Sequence, residues 1–388
     1  MNEARISTLN QLSFNLSEID KLSSTKKVEL IIVVIMFGLS SSWCDLDDLG
    51  LAHYNAAATL LRDLDGKELQ LPLQNYQYFE ECLTYWWMML SFACDPSREV
   101  IHDPPRLTGM RTTTGCRFPH PLTGISSEVQ YLLGKVGYLV FSQRRRVLDR
   151  PLTTTDELLQ SLSNIEKARG LESQLQTLDF PRSDSIADPK DPSTPVTDLV
   201  NIANAYRVCG LLLLYHAFPD LLRSKLTSET LGLPSDSCYP DWESRRQFLG
   251  SLSLHALRIL GGNNELSGTR TIEAILLVII SGELGWVTPT VTTHQGQSVP
   301  VELEDEPRKS FSPEPDQGDG DDALSSGPML EARNAVLARF ERVKSILPFK
   351  TINRMKTLVL KTCELMDQGK DVFWVDVLLD SKWQFLMI

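Results

Sequence analysis

The sequence lacks closely spaced cysteines and histidines. Its seven cysteines stand alone, and no two of them lie at the Cys-x2-Cys spacing of a zinc ribbon or a redox pair. No two of its six histidines lie four residues apart, as the zinc ligands of a zincin do. Single cysteines within apolar stretches, such as Cys209, indicate buried thiols in a reducing compartment. The sequence therefore predicts no catalytic residue, no cofactor and no metal site.

Basic residues are too few to balance the acidic ones. The chain has 38 Lys and Arg against 50 Asp and Glu, which gives a net charge of −12 and a pI near 5.1. Because an acidic surface repels the phosphate backbone, these 388 residues are not expected to hold nucleic acid by themselves. Contact with DNA would need a local basic module, and the sequence contains none.

Long apolar runs are also missing. The strongest run, Val28–Leu39, is about a dozen residues long, where a membrane span needs about 20, and it contains Glu29. It follows Lys26 and Lys27 but begins too far from Met1 for the basic start of an ordinary signal sequence. We therefore expect a buried helix or strand here, in an intracellular protein with no membrane segment.

Period-two alternation, the pattern of a half-buried strand, is rare throughout the sequence. Apolar residues instead recur at three- and four-residue spacing, and 42% of the chain is hydrophobic, which is enough for a large core. The sequence predicts an all-α fold, a large helical array. The predicted helices are Leu51–Leu64, Tyr76–Phe92, Ser127–Arg146, a helix opened by Thr154, Val196–Phe218, Trp242–Leu260, Ile272–Trp286, Leu330–Leu347, Thr351–Asp367 and Asp371–Met387.

Local signals predict two helix starts. Thr154 and Glu157 have the spacing of a capping box, and Gly170 is expected to interrupt the helix that they open. Thr194 and Pro195 have the residue types of an N-cap and a first-turn proline, and they precede the helix predicted from residue 196.

A polar segment at 288–328 breaks the helical pattern. Between residues 302 and 322, acidic residues dominate, and only Arg308 and Lys309 oppose them. With prolines, serines and glycines between the charges, this composition predicts a disordered acidic loop. Phe311 within it leaves two interpretations open: a solvated loop, or an activation segment that folds on a coactivator.

Three further features each allow a functional and a structural interpretation. The acidic run Asp45–Asp48 is either a metal-binding carboxylate cluster, as in all-α terpene cyclases, or a favourable charge at a helix start. The run Arg144–Arg146 is either a nuclear-localisation or phosphate patch, or a set of cations at a helix C-terminus. The aromatic belt Tyr76–Phe92 either lines a small-molecule pocket or packs in the core.

Short motifs in a characteristic order give the chain a family resemblance. They are Tyr85-Trp86, Asp95-Pro96, His120-Pro121-Leu122-Thr123-Gly124-Ile125, Tyr206-Arg207 with Leu211–Tyr215, Gly282-Glu283-Leu284, Arg339–Val343 and Trp374–Val377. Together they resemble the fungal-specific transcription factor domain, the α-helical regulatory half of zinc binuclear cluster proteins. The resemblance covers residues 46–388, and its motifs have the character of packing and capping residues.

The resemblance implies a nuclear transcriptional regulator of metabolic, secondary-metabolite or detoxification genes, and not an enzyme. It divides the chain into an unassigned segment, 1–45, and a regulatory domain, 46–388, interrupted at 288–328. Full-length members carry two Cys-x2-Cys-x6-Cys triplets that bind two zinc ions and place a helix in the major groove. Residues 1–45 contain only Cys44, so DNA binding is expected only through a zinc cluster that is missing here or supplied by a partner.

One alternative function stays open at this point. It is a finger-less helical interaction protein that modulates a DNA-binding partner. For either function we expect protein partners, for dimerisation or coactivation, and an effector molecule of unknown identity is compatible with both.

Overall fold

The fold is that of a computed structural model of the chain. The residues it describes are 21–66, 73–95, 98–105, 117–149, 154–223, 242–285, 327–347 and 349–387, together with positions 7, 11, 12, 14 and 18. The predicted acidic loop, 288–328, lies outside the described residues except for its last two positions.

The described residues form α-helices, short 3₁₀ turns and loops, and they contain no β-strand. Isolated bridges join Arg117 to Ile186 and His120 to Gly124. The predicted all-α class is therefore confirmed. The helices are α1 Ser24–Leu39, α2 Ser41–Cys44, α3 Leu51–Gly66, α4 Leu73–Ser91, α5 Ser127–Asp149, α6 Thr155–Thr177, α7 Val196–Ala217, α8 Trp242–Gly261, α9 Ala274–Ser281, α10 Gly327–Ile346, α11 Lys350–Asp367 and α12 Trp374–Asp380.

Helices α7 and α9 form the centre of the core. Every residue of α9 is buried, as expected for a helix that is apolar nearly all round. It is shorter than the predicted span, because a 3₁₀ turn at Gly268–Ile272 precedes it and the backbone turns at Gly282. Helix α7 packs against α5 on one side and against α8 and α9 on the other, and α9 also contacts α10 and α11.

The aromatic belt belongs to α4 and is mainly core. Trp86 is fully buried, and its ring lies edge-on to Tyr54, with ring centroids 5.4 Å apart. The belt's exception is Tyr78, which is 39% exposed. Burial of these large rings supports the core interpretation for most of the belt.

Helices α4 and α5 approach each other closely at two glycines. A Cβ atom at Gly134 would lie 2.4 Å from the ring of Trp87, and one at Gly137 would lie 2.3 Å from Oγ of Ser91. Positions three residues apart share one face of a helix, so both glycines face α4. The missing side chains allow the indole of Trp87 to lie directly on the α5 backbone.

We expect alanine to have opposite effects at two helical glycines. Gly134→Ala should lower the free energy of unfolding by about 1–3 kcal/mol, because the new methyl group has no space. Gly170→Ala on α6 should raise it by up to about 1 kcal/mol, because a Cβ there meets nothing within 4 Å and alanine favours the helix. Urea titration of both variants measures the difference. Shifts of the same sign would contradict the close approach at Gly134.

Helix α1 contains the apolar run that the sequence singled out. Leu30, Ile31 and Val34 on one face are buried, where α1 packs against α3 and α4. Met36 on the opposite face is 57% exposed. The predicted buried element is therefore a helix, and only one of its faces is buried. Among the described residues, no helix combines the length and apolar character needed to cross a membrane.

Several predicted boundaries are wrong. Helix α6 runs unbroken through Gly170, where the sequence predicted an interruption. Helix α10 begins at Gly327, inside the segment predicted to be a loop. The last helix ends at Asp380 rather than at Met387.

The predicted N-cap of α7 is displaced by one residue. Pro195 occupies the cap position with extended backbone. Thr194 instead holds a loop contact, since its hydroxyl donates to Asp191 at 2.6 Å and accepts from the backbone N–H of Gly268 at 2.8 Å. The capping box of Thr154 and Glu157 is present as predicted.

Candidate functional site

The motif beginning at His120 forms a tight loop before α5. The backbone groups of His120 and Gly124 exchange hydrogen bonds of 2.8 and 2.9 Å. The His120 Nδ1 atom accepts from the N–H groups of Leu122 and Thr123, both at 3.1 Å. Gly124 has a φ of +62°, which favours glycine. The residues of this motif therefore build a turn.

A buried cysteine–histidine contact lies beneath this loop. Because Nδ1 of His120 accepts two backbone hydrogen bonds, its Nε2 carries the proton and donates to Sγ of Cys82 at 3.4 Å. Burial raises the pKa of the Cys82 thiol to about 12 and lowers the pKa of His120 to about 4. Both groups are thus neutral near pH 7, so the pair lacks the thiolate that a nucleophile needs.

The carboxyl group of Glu81 lies beside the same loop. Burial raises its pKa to about 7, against the opposing effects of a hydrogen bond from Gln77 and the charge of Arg117. Arg117 also pairs with Glu128 at 2.9 Å. These contacts fasten the loop to α4 and α5.

The three arginines at the end of α5 bind three different elements. The run Arg144–Arg146 lies in the last turns of α5, which continues to Asp149. The first arginine donates through Nε to Asp376 on α12 at 2.7 Å. The second donates to the carbonyl of Cys94 at 2.9 Å, and the third to the hydroxyl of Ser161 on α6 at 2.9 Å. These contacts support a structural role for the run.

Helix α12 is also held by its aromatic residues. Phe373 stacks on the ring of His216, with ring centroids 4.0 Å apart, and Nδ1 of His216 lies 2.6 Å from Oε1 of Glu283. Trp374 is 1% exposed and packs beside Phe141 on α5. The motifs predicted around residues 283 and 374 therefore meet in one interface.

A buried ion pair connects α10 to the start of α9. Nη1 of Arg339 lies 2.8 Å from Oε2 of Glu273, whose side chain is 1% exposed. Arg339 also donates to the carbonyl of Leu260 at the end of α8, at 2.6 Å. Burial raises the pKa of Glu273, and the nearby charge of Arg339 opposes this effect. The predicted capping role of this arginine motif agrees with these contacts.

The acidic run Asp45–Asp48 forms turns before α3. Asp45 accepts from the N–H of Asp47, and Asp48 accepts from the N–H of Gly50, at 3.1 and 3.0 Å. Over the described part of the chain, no group of three or more His, Cys, Asp or Glu side chains could hold a metal ion. The acids thus order the backbone of this turn.

An open cleft lies between α5 and α6. Its volume is about 880 Å³, and its lining includes the cations Lys135, Arg146 and Lys167 and the aromatic rings of Trp87 and Tyr138. We refer to it as the α5–α6 cleft. Of the aromatic belt, only Trp87 lines it. A cleft with cations and aromatic rings but no activated nucleophile is suited to binding.

The sequence did not predict this cleft. In the sequence, Lys135 and Lys167 look like ordinary exposed lysines on two separate helices. No local sequence pattern indicates that they line the same cleft. The available signal was Gly170 within a helical pattern, because glycine in a helix interior costs about 1 kcal/mol relative to alanine.

The fold and the contacts define a helical array, in which the recognisable motifs connect helices to each other. The family model of the fungal-specific transcription factor domain matches residues 1–238. The chain belongs to this family, which is a family of transcription factor regulatory domains and not of enzymes. The match includes residues 1–45, and the extension of the domain to residue 388 stays a prediction. No characterised protein and no solved structure matches the chain significantly.

Proposed function

We propose that the chain is the regulatory domain of a nuclear transcriptional regulator of fungal metabolic, secondary-metabolite or detoxification genes. Family membership supports a role in transcriptional regulation. The observation that carries the proposal is the match of the family model to residues 1–238. The arginine run at the end of α5 contacts α12, the segment after α4, and α6, so a shift of α5 would alter all three contacts together.

Contact with DNA would occur through a zinc binuclear cluster outside these 388 residues, on the same polypeptide or on a partner. The net charge of −12 supports this arrangement, because it disfavours direct contact between the helical array and phosphate groups. The protein partners would be a second copy of the chain or a coactivator.

The acidic segment 302–322, which lies outside the described residues, is the proposed activating surface. Tethered to a heterologous DNA-binding domain, the chain should activate a reporter gene. Deletion of 302–322 should reduce that activation several-fold, because the segment supplies most of the local negative charge and Phe311. Reporter output per nuclear fusion protein is the measurement.

Two replacements serve as controls for the deletion. A Gly/Ser segment of equal length should be as inactive as the deletion, whereas a scrambled order of the same residues should keep much of the activity. Unchanged activation after deletion would show that the activating surface lies elsewhere.

A second candidate function is a helical interaction protein that modulates a DNA-binding partner. The exposed leucines on the first turns of α6 favour it, since Leu158, Leu159 and Leu162 are 56%, 59% and 61% exposed and exposed apolar patches often contact other proteins. In the same reporter experiment, this function predicts no activation by the tethered chain unless its partner is co-expressed.

A further inference from the structure

The α5–α6 cleft concentrates positive charge on an acidic protein. Three cations line it, and Asp103 is the acidic residue in the same lining, while the chain as a whole carries a net charge of −12. Such a local reversal of sign attracts anions into a cleft whose walls have a low dielectric constant.

No carboxylate of the described residues forms an ion pair with any of the three cations. Within the described part of the chain, neither Lys135 nor Lys167 takes part in an ion pair, and the Lys135 ammonium lies 4.6 Å from the ring centroid of Tyr131. The guanidinium of Arg146 donates to the neutral oxygens of Gln143 and Ser161. Its hydrogen bonds therefore orient the group without cancelling its charge.

One wall offers a hydrogen-bond donor beside apolar surface. The hydroxyl of Tyr138 is buried and has no hydrogen-bond partner among the described residues. Burial raises the pKa of Tyr138 far above its ordinary value, so the hydroxyl keeps its proton. The ring of Trp87 lies next to that of Tyr138, with centroids 5.1 Å apart, and Leu139 and Leu171 also line the cleft.

The other wall is kept open by a glycine. Gly170 lies in the interior of α6, where glycine is less favourable than alanine. A Cβ at this position would meet nothing within 4 Å, so the backbone geometry does not require glycine. The missing side chain instead leaves space at the cleft.

We infer that the α5–α6 cleft binds an organic anion that combines one acidic head group with a flat or extended apolar body. Lys135, Lys167 and Arg146 attract the head group, and Tyr138 donates a hydrogen bond to it. The apolar body lies against Trp87 and the leucines. The cleft has the volume of a small-molecule site. Binding of the anion does not depend on the proposed function, whereas any effect of the anion on transcription rests on it.

Isothermal titration calorimetry of the full chain with 2-naphthoate tests this inference. We expect saturable binding with one site per chain. The neutral isostere 2-naphthamide and inorganic phosphate should each bind at least about tenfold more weakly, because one lacks the charge and the other lacks the apolar body. Absence of saturable naphthoate binding, or equal binding by either comparison compound, would overturn the inference.

Variants locate the site. Gly170→Leu should abolish naphthoate binding by filling the cleft, while Ser173→Leu, exposed on the same helix outside the cleft, should leave the affinity unchanged. The double variant Lys135→Gln/Lys167→Gln should weaken binding about tenfold or more, whereas Lys344→Gln, at an exposed position of α10, should not. Asp103→Asn should tighten binding about two- to fivefold by removing a repulsive charge.

Thermal melting shows that each variant is folded, so a loss of binding cannot be mistaken for unfolding. Unchanged affinity in the folded Gly170→Leu variant would place the anion elsewhere and overturn the inference. Because the readout is binding, a negative reporter experiment would count against the proposed function and leave this result intact.

Discussion

Arg339→Ala is expected to lower the free energy of unfolding by about 3–5 kcal/mol at pH 7.5. Arg339 is the ion-pair partner of Glu273, whose side chain is 1% exposed. The substitution leaves this carboxylate buried without its main counter-charge, and it removes a hydrogen bond to the carbonyl of Leu260. Urea unfolding followed by circular dichroism measures the loss.

The loss should depend on pH in a defined direction. Burial already raises the pKa of Glu273 above its ordinary value, and Arg339 opposes that increase. Without Arg339 the pKa rises further, so the folded state binds a proton at a pH where the unfolded state has released it. The contribution of Glu273 to the free energy of unfolding is then largest at low pH, and it is lost as the pH rises through the pKa that Glu273 has in the folded state. The destabilisation should be smaller at pH 5.5 than at pH 8.

A neighbouring arginine on the same helix provides the control. Arg342 pairs with Glu265 at 3.0 Å, but the two side chains are 49% and 75% exposed. Arg342→Ala should therefore cost no more than about 1 kcal/mol, with little dependence on pH. Adding Glu273→Gln to Arg339→Ala should recover part of the loss. Equal costs for the two arginines would show that the Glu273 pair is not buried in solution.

Trp374→Ala should also lower the free energy of unfolding, by about 3–5 kcal/mol. The indole is 1% exposed and fills the space between α12, α5 and the turn at Gly282. Its ring centroid lies 6.0 Å from that of Phe141 and 6.3 Å from that of Phe92. Alanine would leave a cavity among these rings, which differential scanning calorimetry would detect as a lower melting temperature.

Two variants separate this packing effect from the loss of a tryptophan in general. Trp242 is 55% exposed, so Trp242→Ala should cost less than about 1 kcal/mol. Trp374→Phe should keep much of the stability, because the buried Nε1 of Trp374 has no hydrogen-bond partner among the described residues. A Trp374→Ala loss as small as that of Trp242→Ala would contradict the packing of α12 on α5.

Features encoded over a few residues could be predicted from the sequence. The capping box at Thr154 follows from a spacing of three residues, and the burial of α9 follows from its unbroken apolar composition. The all-α class follows from the same periodicity. The predicted interruption of α6 was wrong, because the surrounding turns of the helix outweigh the helix-breaking preference of Gly170.

Contacts between distant parts of the chain could not be predicted in this way. Local sequence gave the run Arg144–Arg146 two interpretations, and neither included Asp376, which lies 232 residues further along. The α5–α6 cleft could not be predicted for the same reason, because Lys135 and Lys167 line one cleft only when the two helices pack. Periodicity assigns each lysine to a helix and says nothing about its neighbours across the fold.

The bond between Arg144 and Asp376 has a consequence for synthesis of the protein on the ribosome. The chain must grow by 232 residues after Arg144 before its carboxylate partner exists. At roughly 5–20 residues per second, this interval is on the order of 10–50 s. During that time Phe92 and Phe141 lack the indole of Trp374 that later covers them, so the nascent chain exposes an aromatic surface to which other proteins can bind. Chaperones that bind emerging polypeptides would have an opportunity to bind α5 during this interval, and the speed of translation over the 232 residues after Arg144 would set how long it lasts.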